Sequence, residues 1–336
     1  MRSPVTTPAA GGDARPRPRD MLRYAFRTPA VGPLAALVVA VVAFAVTTET
    51  FLTPQNLSLV LQQSIVVGTL ALGQSLIILT AGIDLANGAI AVLGTIVMAK
   101  LAFDGGNPVT ALVLGLTAAT FVGLVNGLLV SRLRLPPFIV TLGALTVVYA
   151  AARLYSQSRS YPVTSGLLVF WGNGLGIGGV FLTWGTFLLV GLYGFFWYVL
   201  TQTAWGRHIY AVGNAPESAR LTGIDVRRTL LSVYVTAGLL YGVAAWQSLG
   251  RIPNADPNSY QTANLESITA VVLGGTSLFG GRGSVIGTLI GALIVNVLRS
   301  GLTQAGIDSL YQDVATGTLV VVAVGVDQIL RRSGPR

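Results

Sequence analysis

The segment TAWGRHIYAVGNAPESARLTGIDVRR, residues 203–228, is a charged island in an apolar chain. Arg207, Arg220, Arg227 and Arg228 stand there against Glu217 and Asp225. On either side run apolar stretches of about 20 residues, the length that crosses a bilayer. Inside the island the order of residues predicts a short helix. Asn214 serves as N-cap, Pro216 falls in the first turn where its missing N–H costs nothing, and Glu217 stands three after the cap as in a capping box. Gly223 supplies the C′ stop. A helix of about two turns is unstable alone, so packing must order it. Two readings follow: a surface on which a cytoplasmic partner pushes, or an ordinary connector between spans.

The rest of the chain fits a membrane. Of 336 residues, 52% are hydrophobic and 10% charged, against roughly 25% charged in soluble domains. Mean hydropathy is +0.70. There is no cysteine, which excludes disulfides and thiolate metal sites, and the single histidine, His208, excludes a His-rich cluster. The net charge of +9 does not point to nucleic acid, because no basic helix with interleaved aromatics carries it. The charges gather in loops and tails, the positive-inside pattern, with anionic lipid as their counterpart.

Residues 1–28 are rich in Pro, Gly and Arg and are expected to be a disordered cytoplasmic tail, not a cleaved signal peptide. Residues 29–332 form the transmembrane domain, and 333–336 a C-terminal tail. Ten spans are expected: Val31–Thr47, Ser58–Ala81, Ala89–Phe103, Val109–Val130, Phe138–Tyr155, Thr183–Thr201, Thr229–Leu249, Leu265–Leu278, Val285–Leu298 and Ser309–Leu330. Residues 156–182 are polar and glycine-rich and are expected at a membrane surface. With the N-terminus inside, the tail, the Arg132/Arg134 turn, residues 203–228 and the C-terminus lie inside and hold 15 of the 21 basic residues. That orientation makes both termini cytoplasmic and places 203–228 inside the cell. The fold class expected is therefore all-α integral membrane protein, with about ten helices. Two of them begin at glycine-rich breaks, 82–88 and 279–284. Interrupted apolar segments in corresponding places mark a transporter's pathway, or simply close helix packing.

Asp84 sits between long apolar runs, where a carboxylate costs roughly 2.5–3.5 kcal/mol on insertion scales. It is expected either to cap the following helix or to touch solute. Gln62, Gln63, Gln74, Asn126 and Asn296 are further polar residues within spans, lining a path for a hydroxylated solute or bonding helix to helix. Nothing catalytic appears: no phosphate-binding loop surrounds Lys100, the only lysine, and there is no H-E-x-x-H or G-x-S-x-G. If transport uses ATP, another chain hydrolyses it.

Four stretches carry a resemblance: LALGQSLIILTAGIDLANGAIAVLG (70–94), NGLLVSRLRLPPFIVTLG (126–143), TAWGRHIYAVGNAPESARLTGID (203–225) and ITAVVLGGTSLFGGRGSVIGTLIGALIVNVLRSGL (268–302). Together they resemble the membrane permease of ribose-type ABC sugar importers, a bacterial multi-pass membrane protein. The resemblance implies a permease dimer, two cytoplasmic ATP-binding subunits carrying ATP and Mg, and an extracytoplasmic solute-binding protein. No cofactor is implied on this chain. Glu217-Ser218-Ala219 followed by Gly223 looks like the family's Glu-Ala-Ala loop. Asn214, Glu217, Ser218, Ala219, Arg220, Gly223 and Asp225 are thus the expected ATPase-coupling residues. Gly82-Ile83-Asp84-Leu85 matches the family's Gly-Ile-Asp-Leu, whereas Ala86-Asn87-Gly88 departs from Ser-Val-Gly and leaves the sugar open. Gln74, Asp84, Asn87, Asn126 and Asn296 are the expected pathway residues. The alternative is an ion- or proton-coupled secondary transporter with Asp84 titrating, for which Asp313 and Glu266 near span ends are thin further support. An intramembrane enzyme lacks a nucleophile–base pair.

Overall fold

Proline and polar caps open the long helices. The Thr53 hydroxyl accepts the Asn56 N–H at 3.4 Å just before Pro54, and the Asn107 side chain accepts the Val109 N–H at 2.8 Å just before Pro108. Pro136 and Pro137 open a third. Proline suits the first turn because that turn has no acceptor for its N–H. The computed structural model describes residues 31–333. The expected tail at 1–28 and residues 334–336 lie outside the described residues.

In chain order the elements are α1 (Val31–Thr47), α2 (Pro54–Leu79), α3 (Asn87–Phe103), α4 (Pro108–Ser131), α5 (Pro137–Ser156), β1 (Tyr161–Pro162), β2 (Gly174–Ile177), β3 (Val180–Thr183), α6 (Trp184–Gln202), α7 (Ala204–Asn214), α8 (Pro216–Leu221), α9 (Val226–Arg251), β4 (Asn254–Ala255), α10 (Ala263–Leu273), α11 (Val285–Gln304) and α12 (Ser309–Ser333). Six of them, α2, α4, α5, α6, α9 and α11, are long and apolar enough to cross a membrane, and α1, α3 and α10 are apolar but shorter. The expected span at Leu265–Leu278 is helical only to Leu273. At about 1.5 Å per residue α10 covers roughly half of the ~30 Å hydrocarbon core.

Helix α2 is the axis of the bundle. Every residue from Ser64 to Leu79 is buried, and α9, α10 and α11 pack around it. A helix apolar all round belongs in such a position. The outer helices α5 and α6 instead turn Val147, Leu154, Phe195 and Trp197 outward. The crossing of α4 over α9 is paved with glycine. A Cβ on Gly123 would lie 2.5 Å from the Tyr234 carbonyl, and one on Gly238 2.9 Å from the Ala119 carbonyl. Such approach maximises dispersion contact where no hydrophobic driving force joins helices. Hydroxyls then tie the bundle: Thr69 donates to Gln247 (2.7 Å), Tyr193 to the Gly68 carbonyl (2.9 Å), and Ser75 meets Thr288 (2.8 Å).

The bundle has two distinct ends. At one, β1 pairs with β4, and β2 with β3 through a Gly178-Gly179 turn in which both glycines have positive φ. The expected surface segment 156–182 thus contains short strands. Residues 80–82, 131–137 and 216–227 meet at the opposite end, the end that holds the expected ATPase-coupling residues and hence the coupling end.

Candidate functional site

The charged island folds as two helices. Thr203 opens α7 by accepting the Gly206 N–H at 3.3 Å, and α7 buries Gly206, Ile209, Val212 and Gly213. Its last residue is Asn214, because the Ala215 N–H still donates to the Ala211 carbonyl. This corrects the expected cap: Asn214 ends one helix, and extended Ala215 precedes the next without a side-chain cap. Glu217 therefore forms no capping box. The stop is as expected. Gly223 has φ +87°, its N–H donates to Arg220 O at 3.0 Å, and that of Ile224 donates to Ala219 O at 3.1 Å, a Schellman closure. Asp225 caps α9 by accepting the Arg228 N–H at 3.1 Å.

On α8, Ala219 packs inward while Glu217, Ser218, Arg220 and Leu221 face out. Leu221 is 88% exposed, an apolar tip amid charge that sequence reasoning passed over. Beneath α8 a cavity of about 680 Å³ is lined by Thr80, Gly82, Arg134, Glu217, Arg220 and Tyr234.

The first break, between α2 and α3, carries Asp84. Its carboxylate accepts the Ala86 N–H at 2.7 Å, and the buried hydroxyls of Tyr234 and Tyr241 face it. With its carboxamide oriented to suit both partners, Gln74 donates to the Asp84 carbonyl (3.0 Å) and accepts its N–H (3.2 Å). Asn87 donates to Ser267 of α10 at 2.7 Å, and its own carbonyl oxygen is buried without a partner. The structure thus brings Gln74, Asp84 and Asn87 together and adds Ser267, Tyr234 and Tyr241. No hydrogen bond joins Asn126 to this group among the described residues; it is buried on α4 with its amide nitrogen unpartnered.

Asn296 lies elsewhere, bonded to the Ala292 carbonyl of its own helix at 2.8 Å. It lines a second cavity, about 350 Å³, with Gln63, Tyr260, Thr262, Glu266 and Arg299. Glu266 pairs with Arg299 there and accepts the Thr262 hydroxyl at 3.1 Å. The cavity adjoins the Asp84 group: a Cβ on Gly88 would lie 2.6 Å from the Tyr260 carbonyl. Arg299 lies one residue past the expected span Val285–Leu298, and only the extension of α11 to Gln304 brings it into the helix beside Glu266. Among the described residues no group of three or more His, Cys, Asp or Glu could hold a metal ion.

A helical bundle with two broken segments, a polar interior and a charged helix pair at one end defines a membrane transport protein. Residues 56–324 match the family described as "Branched-chain amino acid transport system / permease component". The fructose import permease of Rhizobium meliloti is 42% identical over 94% of this chain and 89% of its own length. The ribose import permease of Bacillus subtilis (strain 168) is 36% identical over 89% of this chain and 92% of its own. The galactose/methyl galactoside import permease of Escherichia coli (strain K12) is 34% identical over 83% and 88%. No solved structure matches. The chain belongs to this family of ABC-importer permease components, a multi-pass protein of the bacterial cell membrane. It is a permease subunit and not an enzyme, and ATP hydrolysis belongs to a separate chain.

Proposed function

We propose that the chain is the translocating subunit of an ATP-driven importer of a monosaccharide or similar small hydroxylated solute. The observation that carries this reading is α8, a short, firmly closed helix displaying Glu217, Ser218, Arg220 and Leu221 outward from a membrane bundle. Such a helix fits a cleft on a cytoplasmic ATPase that binds ATP and Mg. The coupling end then faces the cytoplasm, with both chain termini and about ten passages of the bilayer. A solute-binding protein delivers at the end bearing the β-hairpin. Two copies of the permease meet two ATPase chains.

The solute path runs through the polar interior. The cavity at Gln63, Glu266, Asn296 and Arg299 has the volume of a small-ligand pocket. The group at Gln74, Asp84 and Asn87 continues it toward the coupling end. The names of the relatives support a monosaccharide. Asp84 acts in this reading as a fixed acceptor at the break, not as a proton carrier.

The test is reconstitution in liposomes with the cognate ATPase and binding protein. Uptake of radiolabelled fructose, ribose, galactose and allose is compared with and without ATP inside. Dependence of uptake on ATP is expected. Equal uptake by vesicles lacking the ATPase sinks the reading.

A further inference from the structure

Three stretches far apart in sequence meet backbone to backbone at the coupling end. The Gly281 N–H donates to the Leu79 carbonyl at 3.0 Å, joining the second break to the end of α2. Gly213 of α7 sits against that same carbonyl: a Cβ on Gly213 would lie 1.8 Å from Leu79 O and 2.7 Å from Gly281 N. A Cβ on Gly281 would lie 2.8 Å from Asn214 Cα, and one on Gly280 2.6 Å from Ala81 N. The Tyr210 hydroxyl, one turn before Gly213, donates to the Gly283 carbonyl at 3.0 Å. Gly280 and Gly281 have φ +81° and +71°, and Ala81 beside them has φ +62°.

We propose that this junction is the transmission element of transport, with Gly213, Gly281 and Tyr210 as positioning residues. The inference rests on the importer reading. The physical reason is stiffness. Main chain touches main chain, with no flexible side chain between to absorb a shift, and packed interiors are bistable, not continuously deformable. Helix α8 follows α7 after one residue, so a push on α8 moves α7. Movement of α7 then displaces both breaks at once. The first break carries Asp84 and leads to Asn87; the second joins α10, bearing Glu266 and Ser267, to α11, bearing Asn296 and Arg299. Both walls of the polar interior therefore hang from one point. Sequence reading saw two separate glycine breaks and a separate loop; the fold makes them one contact.

The test uses the complete transporter in liposomes, with uptake of radiolabelled fructose, ribose, galactose and allose and ATP hydrolysis measured in the same vesicles. The Cβ of Gly213→Ala must force the junction apart, so in the complex that assembles and hydrolyses ATP the solute moved per ATP is expected to fall about tenfold, the scale of a coupling free energy between sites. Tyr210→Phe, which removes one hydroxyl, shifts that ratio in the same direction by less. Arg207→Ala, on an exposed position of α7, leaves it unchanged. A residue that only packs the bundle lowers the yield of complex and leaves the ratio intact. An unchanged ratio in Gly213→Ala overturns the proposal. If that variant fails to assemble, an unchanged ratio in Tyr210→Phe overturns it instead. ATP-dependent uptake with unaltered ratios sinks the junction alone, whereas uptake without the ATPase sinks the importer reading and the junction together.

Discussion

Asn87 donates its amide to the hydroxyl of Ser267 at 2.7 Å, binding the first turn of α3 to the half-length helix α10. The two residues are 180 positions apart, and both are wholly buried. The other end of the Asn87 carboxamide is an acceptor with no partner. A buried polar atom left unpaired costs about 1–3 kcal/mol, and in a native fold it calls for an explanation. A hydroxyl of passing solute is a suitable donor. Asn87→Leu removes the orphan together with one hydrogen bond, so its effect on thermal unfolding in nanodiscs is expected to be small. Uptake is expected to fall by about tenfold, the loss of roughly 1.4 kcal/mol of binding. Lost stability with normal uptake per folded molecule would make Asn87 a helix tie only.

The Glu266–Arg299 pair invites a double-mutant cycle. Glu266 is buried, whereas the Arg299 side chain is 38% exposed and also lies 3.9 Å from Asp313. Breaking a fully buried pair by removing one partner costs about 3–5 kcal/mol. Partial exposure of Arg299 lowers the expectation for Glu266→Gln to about 1–3 kcal/mol of stability. Arg299→Met alone strands the carboxylate and is expected to cost more. The pair Glu266→Gln with Arg299→Met is expected to recover part of the loss. Strict additivity of the two single changes in chemical unfolding contradicts an interaction between them.

Helices α2, α4, α5, α6, α9 and α11 were legible because apolar length is a local signal. Helix α7 was not, since two of its four buried positions are glycines, Gly206 and Gly213, which carry no hydrophobic signal. The expected cap at Asn214 followed a sound local rule that tertiary structure overrode: α7 runs through it and seats it against Gly281. Asp84 and Asn87 stood out as polar residues amid apolar ones. Ser267, which bonds Asn87, and the neighbouring Tyr234 and Tyr241 did not, because such residues are common in spans and only the fold brings them near. The junction of Leu79, Gly213 and Gly281 lies in main-chain atoms, for which sequence has no alphabet.

Asp84 separates the two transport mechanisms. Its carboxylate accepts the Ala86 N–H, a bond that an asparagine oxygen can also accept. Asp84→Asn therefore preserves the turn of the break while abolishing titration. ATP-driven uptake is expected to survive this change within about tenfold, and a protonophore is expected to leave wild-type uptake unaltered. Abolition of uptake by the protonophore at constant ATP restores the secondary-transporter mechanism.

Docking is tested on the outward face of α8 and on its closure. Leu221 is exposed and Glu217 stands in the first turn, where its charge favours the helix N-terminus. Glu217→Arg reverses that charge on the proposed docking surface, and Leu221→Asp removes the apolar tip. Each is expected to leave the amount of membrane-inserted protein unchanged, because both side chains are exposed. Gly223→Pro goes further: proline fixes φ near about −65° and has no N–H. Gly223 needs φ +87° and donates to Arg220 O. Gly223→Ala keeps the N–H but meets the left-handed penalty of about 1–2 kcal/mol. The expected order of ATP-coupled uptake is wild type, Gly223→Ala, then Gly223→Pro and Glu217→Arg near zero. Co-purification with the ATPase checks the cause: it is lost in the same order if α8 is the dock. Retained uptake in Gly223→Pro and Glu217→Arg returns 203–228 to the status of a connector.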